Sequence, residues 1–241
     1  MNKPIQLNFA RVEKKYFLTP EQYRFFKPLL MGFIKPDEYP TYTLCNIYYD
    51  TDDYRLIRAS LEKPIYKEKL RMRSYGVPKD DDKVFVELKK KFDGVVYKRR
   101  ITASPFFADS FLKGLRPAER KDQITAEIEY FQHFYRTRPK AFIAYDREAY
   151  QGRDDPELRI TFDTNLRYRL HDLSLQAGDH GEPILDTDDI LMEIKMPGAC
   201  PLWLSRLLDE AKIYPTSFSK YGACYQKHIL KILSKEARLS A

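Results

Sequence analysis

Apolar and polar residues alternate along much of the chain in short runs, a pattern typical of β-strands. Each run either alternates or is rich in β-branched and aromatic residues. Eight strands are therefore predicted, over residues 8–18, 42–49, 65–75, 83–92, 95–102, 140–150, 158–166 and 190–196.

Helical signals lie between these strands. Thr19 followed by Pro20 predicts the start of a helix, which Pro28 would end or kink. Further helices are predicted over residues 104–114, 117–135, 201–213 and 217–239. Runs of strands with helices at their junctions favour a mainly antiparallel β (α+β) fold with the helices outside.

The chain is predicted to be one domain over residues 1–241. Its 43% hydrophobic residues exclude a disordered protein, and its length is enough to bury a sizeable core. Two polar stretches, residues 78–82 and 176–189, are predicted to be loops rather than linkers, since strand-like sequence resumes directly after each. With only 9 glycines, the chain has little room for Gly-rich nucleotide-binding loops.

Cysteine and histidine spacing indicates neither a disulfide framework nor a zinc site. The three cysteines, Cys45, Cys200 and Cys224, are widely separated, and the four histidines show no metal-binding spacing. No apolar run approaches the roughly 18 residues of a membrane span, and the first residues do not resemble a signal peptide. The cytoplasm is therefore the predicted location.

Positive charge is concentrated in predicted strands. The formal net charge is +7, and residues 67–100 alone hold 12 Lys and Arg against 6 Asp and Glu. Because residues two apart share a face of a strand, these charges fall on common faces. The charged faces are Arg11, Glu13 and Lys15; Lys67, Lys69, Arg71 and Arg73; Glu87, Lys89 and Lys91; and Glu193 and Lys195.

Two interpretations of these faces remain open. One is an amphipathic sheet with an ordinary solvated face. The other is a closed barrel whose charged faces point inward, which would have to be wet and hold charged ligands. Buried charges persist only when they are paired or coordinated, and phosphate oxygens with a divalent cation meet both conditions. A polyanionic partner is therefore predicted, and nucleic acid is disfavoured because no predicted helix has a strongly basic face.

Nine short motifs, in order, resemble the VTC (vacuolar transporter chaperone) domain over about residues 8–228. This family is a branch of the triphosphate tunnel metalloenzymes and is related to the CYTH enzymes. The motifs are RVEKKY (11–16), YYDT (48–51), KLRMRSYG (69–76), VELKKK (86–91), YKRR (97–100), AYDREAY (144–150), LRITFD (158–163), MEIKMPG (192–198) and SKY (219–221).

The resemblance implies an eight-stranded closed antiparallel β tunnel with peripheral helices. It also implies a polyphosphate polymerase, which transfers the γ-phosphate of a nucleoside triphosphate such as ATP to a polyphosphate chain, with Mn²⁺ or Mg²⁺ as cofactor. Together with the charged faces, it assigns catalytic and phosphate-binding roles to Lys15, Lys69, Arg71, Arg73, Lys89, Lys98, Arg147, Arg159, Lys195 and Lys220.

Glu193 is the metal ligand that the resemblance implies. Glu13 and Glu87 would help it, or would instead orient the lysines beside them. The acceptor, phosphate or a polyphosphate end, is already anionic, so no general base is required. Hydrolytic tunnel enzymes begin with ExExK, whereas Arg11 replaces the first carboxylate here, which favours the VTC branch. The eukaryotic polymerase pattern also has a lysine where this chain has Ser217.

Several assigned residues have a purely structural alternative. Arg147 could lie on the surface, and Arg159 could pair with Asp163 on its own strand. Glu193 could likewise pair with Lys195.

Two other functions also stay open: a hydrolase of triphosphate or polyphosphate on the same scaffold, and a non-catalytic polyphosphate-binding module. Eukaryotic family members carry regulatory and membrane domains, so a membrane partner protein is compatible with the resemblance. The oligomeric state is left open.

Overall fold

A computed structural model describes residues 11–239, which form a mainly antiparallel sheet with peripheral helices. The strands are β1 (Arg11–Leu18), β2 (Ile34–Asp50), β3 (Tyr66–Tyr75), β4 (Val84–Phe92), β5 (Val95–Ala103), β6 (Arg138–Gly152), β7 (Arg159–Arg169), β8 (Glu182–Pro183), β9 (Ile190–Pro197) and β10 (Pro215–Thr216). Their hydrogen-bonded order is β10-β1-β9-β7-β6-β2-β3-β4-β5, and β8 pairs with β7.

The prediction of an eight-stranded closed tunnel is wrong in two respects. The sheet has ten strands, and its order has two ends, β10 and β5, so it is not closed within the described residues. The eight predicted strands are present. The two additional strands, β8 and β10, contain two residues each, which is too short for an alternating pattern to reveal them. Pro215 also gives β10 no N–H at one of its two positions, so this strand cannot extend the ladder far.

Strand β2 begins eight residues before its predicted start. Pro36 and Pro40 lie in its exposed first half, and prolines are unusual inside strands, so the sequence pattern does not reveal this part. Residues 8–10 of the first predicted strand, and the side chain of Arg11, lie outside the described part of the structure.

The helices are α1 (Pro20–Leu30), α2 (Arg55–Leu61), α3 (Pro105–Leu112), α4 (Gln123–Tyr135), α5 (Leu202–Glu210), α6 (Lys220–Cys224) and α7 (Leu230–Leu239), with a π-helical segment Tyr225–Ile229 and a 3₁₀ turn Leu175–Ala177. Helix α1 starts at Pro20 as predicted, and the Thr19 side chain accepts a hydrogen bond from the Gln22 backbone N–H in a capping box. No helix in residues 11–239 is long and apolar enough to cross a membrane.

The chain forms two compact units, each built from three segments. Unit 1 contains the described residues up to Tyr42, with Asp146–Asn165 and Leu185–Phe218. Unit 2 contains Thr43–Tyr145, Leu166–Ile184 and the described residues from Ser219 onward. The prediction of a single domain over residues 1–241 stays a prediction.

Unit 1 has a core beneath α1 and α5. Strand β1 pairs with β10 and β9, and β9 pairs with β7, all antiparallel. Phe26 of α1, Phe162 of β7 and Met192 of β9 are fully buried in this core. The predicted parity holds, because Glu193 lies between the buried Met192 and Ile194 along β9 and belongs to the opposite, charged face.

Unit 2 has a second core, against which α3 and α4 pack. Strands β2, β3, β4 and β5 pair in sequence order with antiparallel register. Leu70, Val86 and Leu88 are fully buried together with Phe131 of α4. These residues alternate with the charged positions of β3 and β4, so the sheet of unit 2 has one apolar and one charged face, as the sequence predicts.

Candidate functional site

Three adjacent strands of unit 2 align cations in rows across the sheet. In one row Lys69 of β3 is opposite Lys89 of β4, which is opposite Lys98 of β5. Residues directly opposite each other in antiparallel strands have Cβ atoms about 4.5–5.5 Å apart, so like charges in such a row repel. This row is therefore a surface that favours bound anions.

The next row contains Glu87, a buried carboxylate among four cations. Arg71 Nε donates to its Oε2 at 2.8 Å, and Arg100 Nε donates to its Oε1 at 2.9 Å. Lys98 Nζ lies 2.7 Å from the same Oε1, and an Arg73 nitrogen lies 3.9 Å from Oε2. One negative charge thus holds several positive ones close together, and the cluster keeps a net positive charge.

This crowding changes the protonation of two groups. Burial raises the pKa of Glu87, but Arg71 and Arg73 outweigh burial and hold the pKa far below its ordinary value. Burial, together with Arg100 and Arg71, lowers the pKa of Lys98 to about 8 even though Glu87 opposes the change. The carboxylate therefore stays ionised, whereas the charge of Lys98 depends on pH near neutrality.

Polar side chains of β2 orient the two arginines of β3. The Tyr48 hydroxyl accepts a hydrogen bond of 3.2 Å from Arg71, and Asn46 Oδ1 accepts one of 2.8 Å from Arg73 Nε. Asn46 is itself fixed, because its Nδ2 donates to the Ile143 carbonyl at 3.1 Å. The guanidinium groups are therefore held in one orientation.

Lys220 is buried at the first position of α6. Its Nζ lies 4.1 Å from the centroid of the Tyr145 ring, a distance at which the ring attracts the ammonium group. The preceding Ser219 accepts from the Gly222 backbone N–H at 3.2 Å and from Lys69 Nζ at 3.1 Å. Ser219, the N-cap residue of α6, is thus bonded to Lys69 and directly precedes Lys220 in sequence. Both lysines are predicted phosphate-binding residues.

Unit 1 places Glu193 between two cations. Lys15 Nζ is 3.5 Å from one oxygen of Glu193, and an Arg147 nitrogen is 3.7 Å from the other. Lys15 also lies 3.6 Å from Glu13 Oε1 and donates to the Phe218 carbonyl at 3.0 Å. Lys195 is opposite Glu13 in register, on the same charged face.

Two arginines of unit 1 have partners that the sequence did not suggest. Arg147 makes a bidentate pair with the fully buried Asp163, with N–O distances of 2.6 and 2.7 Å. Arg147 is therefore not a surface residue. Arg159 pairs with Asp37 of β2, so the suggested Arg159–Asp163 pair is wrong. Strand parity alone could not distinguish these partners, because Asp37 is distant in sequence.

A metal ion in unit 1 would need ligands besides the described side chains. Within residues 11–239, no group of three or more His, Cys, Asp and Glu side chains could hold a metal ion. Mg²⁺, however, is commonly held by one or two carboxylates together with substrate phosphates. Glu193 and Glu13 could supply such a pair of carboxylates, because both lie within 3.6 Å of the same atom, Lys15 Nζ. The oxygens of Glu87 accept hydrogen bonds of 2.8 and 2.9 Å from Arg71 and Arg100, which are closer contacts than the 3.5 and 3.7 Å between Glu193 and its cations Lys15 and Arg147.

Besides Asn46, which orients Arg73, and Asp37, which pairs with Arg159, sequence reasoning assigned no role in these clusters to four further residues. Arg100 binds Glu87, Asp163 binds Arg147, and Tyr48 and Tyr145 support Arg71 and Lys220. A signal existed for Arg100, which shares a strand face with Lys98. None existed for the tyrosines, because buried tyrosines more often belong to the core.

The VTC domain family matches residues 10–229 of the chain. Vacuolar transporter chaperone complex subunit 4 of Schizosaccharomyces pombe is 26% identical over 209 residues, covering 73% of this chain and 28% of the relative. The subunit of the same name from Trypanosoma brucei is 29% identical over 161 residues, covering 55% and 20%. The chain thus spans about a quarter of the length of these curated relatives.

Among solved structures, a candidate adenylyl cyclase from Hippeastrum, described as having a dominant triphosphatase activity, has a similar fold. The TM-score is 0.55 at 17% sequence identity, and the match covers 90% of this chain and 96% of the other. At this identity the likeness concerns the fold alone. Because the family match covers most of its length, the chain belongs to the VTC domain family, which confirms the resemblance carried by its motifs.

Proposed function

We propose that this chain is a phosphotransferase of the polyphosphate polymerase type. It would transfer the γ-phosphate of a nucleoside triphosphate, ATP in the first instance, to phosphate or to a polyphosphate chain. The observation that carries this proposal is the pair of cation rows around the buried Glu87 in unit 2. The family match and the names of the relatives support it.

The chemistry suits such a cluster. Phosphoryl transfer requires mainly positioning and neutralisation of charge on the transferred group. Arginine forks bind phosphate oxygens in a bidentate manner, and lysines act as point charges. Arg71 and Arg73 have fixed orientations, so they would bind phosphate with little loss of side-chain freedom. Glu87 would orient the cations rather than bind metal, because its oxygens are occupied.

The remaining assigned residues keep their predicted roles as part of the proposal. Lys69, Lys89, Lys98 and Lys220 in unit 2, and Lys15, Arg147, Arg159 and Lys195 in unit 1, would contact phosphates. Glu193, helped by Glu13, would hold Mn²⁺ or Mg²⁺. The ion would supply charge neutralisation at phosphate oxygens.

Hydrolysis is the second candidate, because the similar Hippeastrum fold is described as having triphosphatase activity. One incubation separates the candidates: purified protein, ATP and Mn²⁺, with polyphosphate and free phosphate both quantified. Polyphosphate is expected. Free phosphate alone would show a hydrolase, and tripolyphosphate binding without either product would show a binding module.

Glu193→Gln is expected to abolish metal-dependent turnover, because it removes the charge that holds the ion at nearly unchanged volume. The matched control is Glu210→Gln, an exposed glutamate at the end of α5 in the same unit. Full Mn²⁺-dependent activity in Glu193→Gln would show that the ion is held elsewhere.

The relatives are named as subunits of a complex, so partner proteins, including a membrane protein, are proposed for this chain as well. The cytoplasmic location, like the exclusion of nucleic acid, stays a prediction.

A further inference from the structure

Asp50 is a fully buried carboxylate at the end of β2. It accepts hydrogen bonds from the backbone N–H groups of Thr51, Leu56 and Ile57, at 2.8, 2.9 and 3.0 Å. The Tyr221 hydroxyl donates to its Oδ2 at 3.1 Å. A buried charge is stable only when donors satisfy it, so these bonds fix Asp50 to the start of α2 and to α6.

Helix α6 is the first part of a continuous helical run, which goes on through the π-helical segment Tyr225–Ile229 into α7. Its N-terminal end packs on other elements of unit 2. It lies close to the end of α2, because a Cβ added to Gly222 would approach Leu61 Cδ2 to 3.1 Å. The position of this end of the helical run is therefore fixed by its contacts with β2 and α2.

Tyr221 anchors α6 in two ways. Its ring stacks on Tyr48, with centroids 4.7 Å apart and planes at 15°, and its hydroxyl reaches Asp50. Tyr221 directly follows Lys220, whose Nζ lies over the Tyr145 ring. Any rotation of α6 that broke the Tyr221–Asp50 bond would also move the Lys220 ammonium.

We propose that Asp50 and Tyr221 are positioning residues that hold Lys220 where it binds a phosphate group. This rests on the proposed function, in which Lys220 contacts phosphate. Neither residue would touch the substrate. Their effect on phosphate affinity would therefore pass through Lys220.

A double-mutant cycle separates this role from general damage to the fold. Tyr221→Phe removes the hydroxyl but keeps the ring stacked on Tyr48. Tripolyphosphate binding is measured by calorimetry without nucleotide or metal, for wild type, Tyr221→Phe, Lys220→Ala and the double variant. The matched control is Tyr225→Phe, another buried tyrosine on the following π-helical segment.

Tyr221→Phe is expected to weaken tripolyphosphate binding about five- to tenfold, since one hydrogen bond that positions Lys220 is lost. In the Lys220→Ala background the same change should weaken tripolyphosphate binding by about twofold or less. The control variant Tyr225→Phe should bind tripolyphosphate like wild type. An equal loss in both backgrounds, or no loss in either, would overturn the proposal.

The outcome is independent of catalysis. If the wild type binds tripolyphosphate but makes no polyphosphate, the proposed function fails while the cycle still decides the positioning role. A wild type that does not bind tripolyphosphate would overturn the phosphate-binding role of Lys220 and the inference with it.

Discussion

Replacing Glu87 by glutamine removes a buried negative charge from among four cations and leaves the side-chain volume nearly unchanged. Arg71, Arg73, Lys98 and Arg100 would then face one another without their shared carboxylate. Breaking a buried ion pair on one side typically costs about 3–5 kcal/mol. Because the side chains of Lys98 and Arg100 are 42% and 36% exposed, solvent screening places the expected cost at the lower end, about 3 kcal/mol.

A loss of this size is easily measured. In a chain of this length, 1 kcal/mol corresponds to about 2–4 °C in melting temperature, so Glu87→Gln should melt roughly 6–12 °C below wild type. Bound anions would replace the missing charge. We therefore expect tripolyphosphate, at equal ionic strength, to raise the melting temperature of Glu87→Gln by more than it raises that of wild type.

The assay is thermal unfolding with and without tripolyphosphate, with chloride matching the ionic strength. Glu127→Gln is the control, because Glu127 also contacts two cations, Lys90 and Arg99, both at 3.4 Å, but is only partly buried. Glu127→Gln should lower the free energy of unfolding by about 1 kcal/mol or less and leave the response of the melting temperature to tripolyphosphate unchanged.

Two results would refute this reasoning. One is a Glu87→Gln variant that melts within about 2 °C of wild type, less than the smallest expected loss. The other is an equal tripolyphosphate response in variant and wild type, which would mean that the cluster does not receive the anion.

Two further predictions concern stability. Burial raises the pKa of Glu148, but hydrogen bonds from Lys27 and Tyr23 outweigh burial, so the pKa lies below its ordinary value. The ionised carboxylate therefore stabilises the fold above about pH 4.5, and this stabilisation is lost as the pH falls further. In urea unfolding, the cost of Glu148→Gln should thus be about 1–3 kcal/mol at pH 7 and shrink towards pH 3; a pH-independent cost would contradict this. A Cβ at Gly181 would lie 2.5 Å from the carbonyl oxygen of Tyr168, so Gly181→Ala should lower the free energy of unfolding by about 1–3 kcal/mol. The control is Gly32→Ala, which has open space around it and should lower the free energy of unfolding little. Equal melting temperatures for the two variants would disprove the clash.

The existence of the eight longer strands, though not the start of β2, and the charged faces could be predicted from the sequence. Both depend on alternation, which is a local property: successive side chains in a strand point to opposite faces whatever the rest of the chain does. Lys69, Arg71, Glu87 and Lys89 therefore lie on the charged face of unit 2, as parity predicts. Family motifs added roles for these side chains by resemblance, and those roles stay predictions.

Tertiary structure decided which charges meet. Glu87 binds Arg71 of β3 and Arg100 of β5 because the register of three strands brings them into one row. Arg147 likewise binds Asp163, leaving Arg159 to Asp37.

The sheet's two shortest strands and the anchoring of α6 by Asp50 also had no sequence signal. Each depends on segments distant along the chain. Local periodicity determines the face on which a side chain lies, but its partners follow from strand register and loop path, which only the packed chain defines.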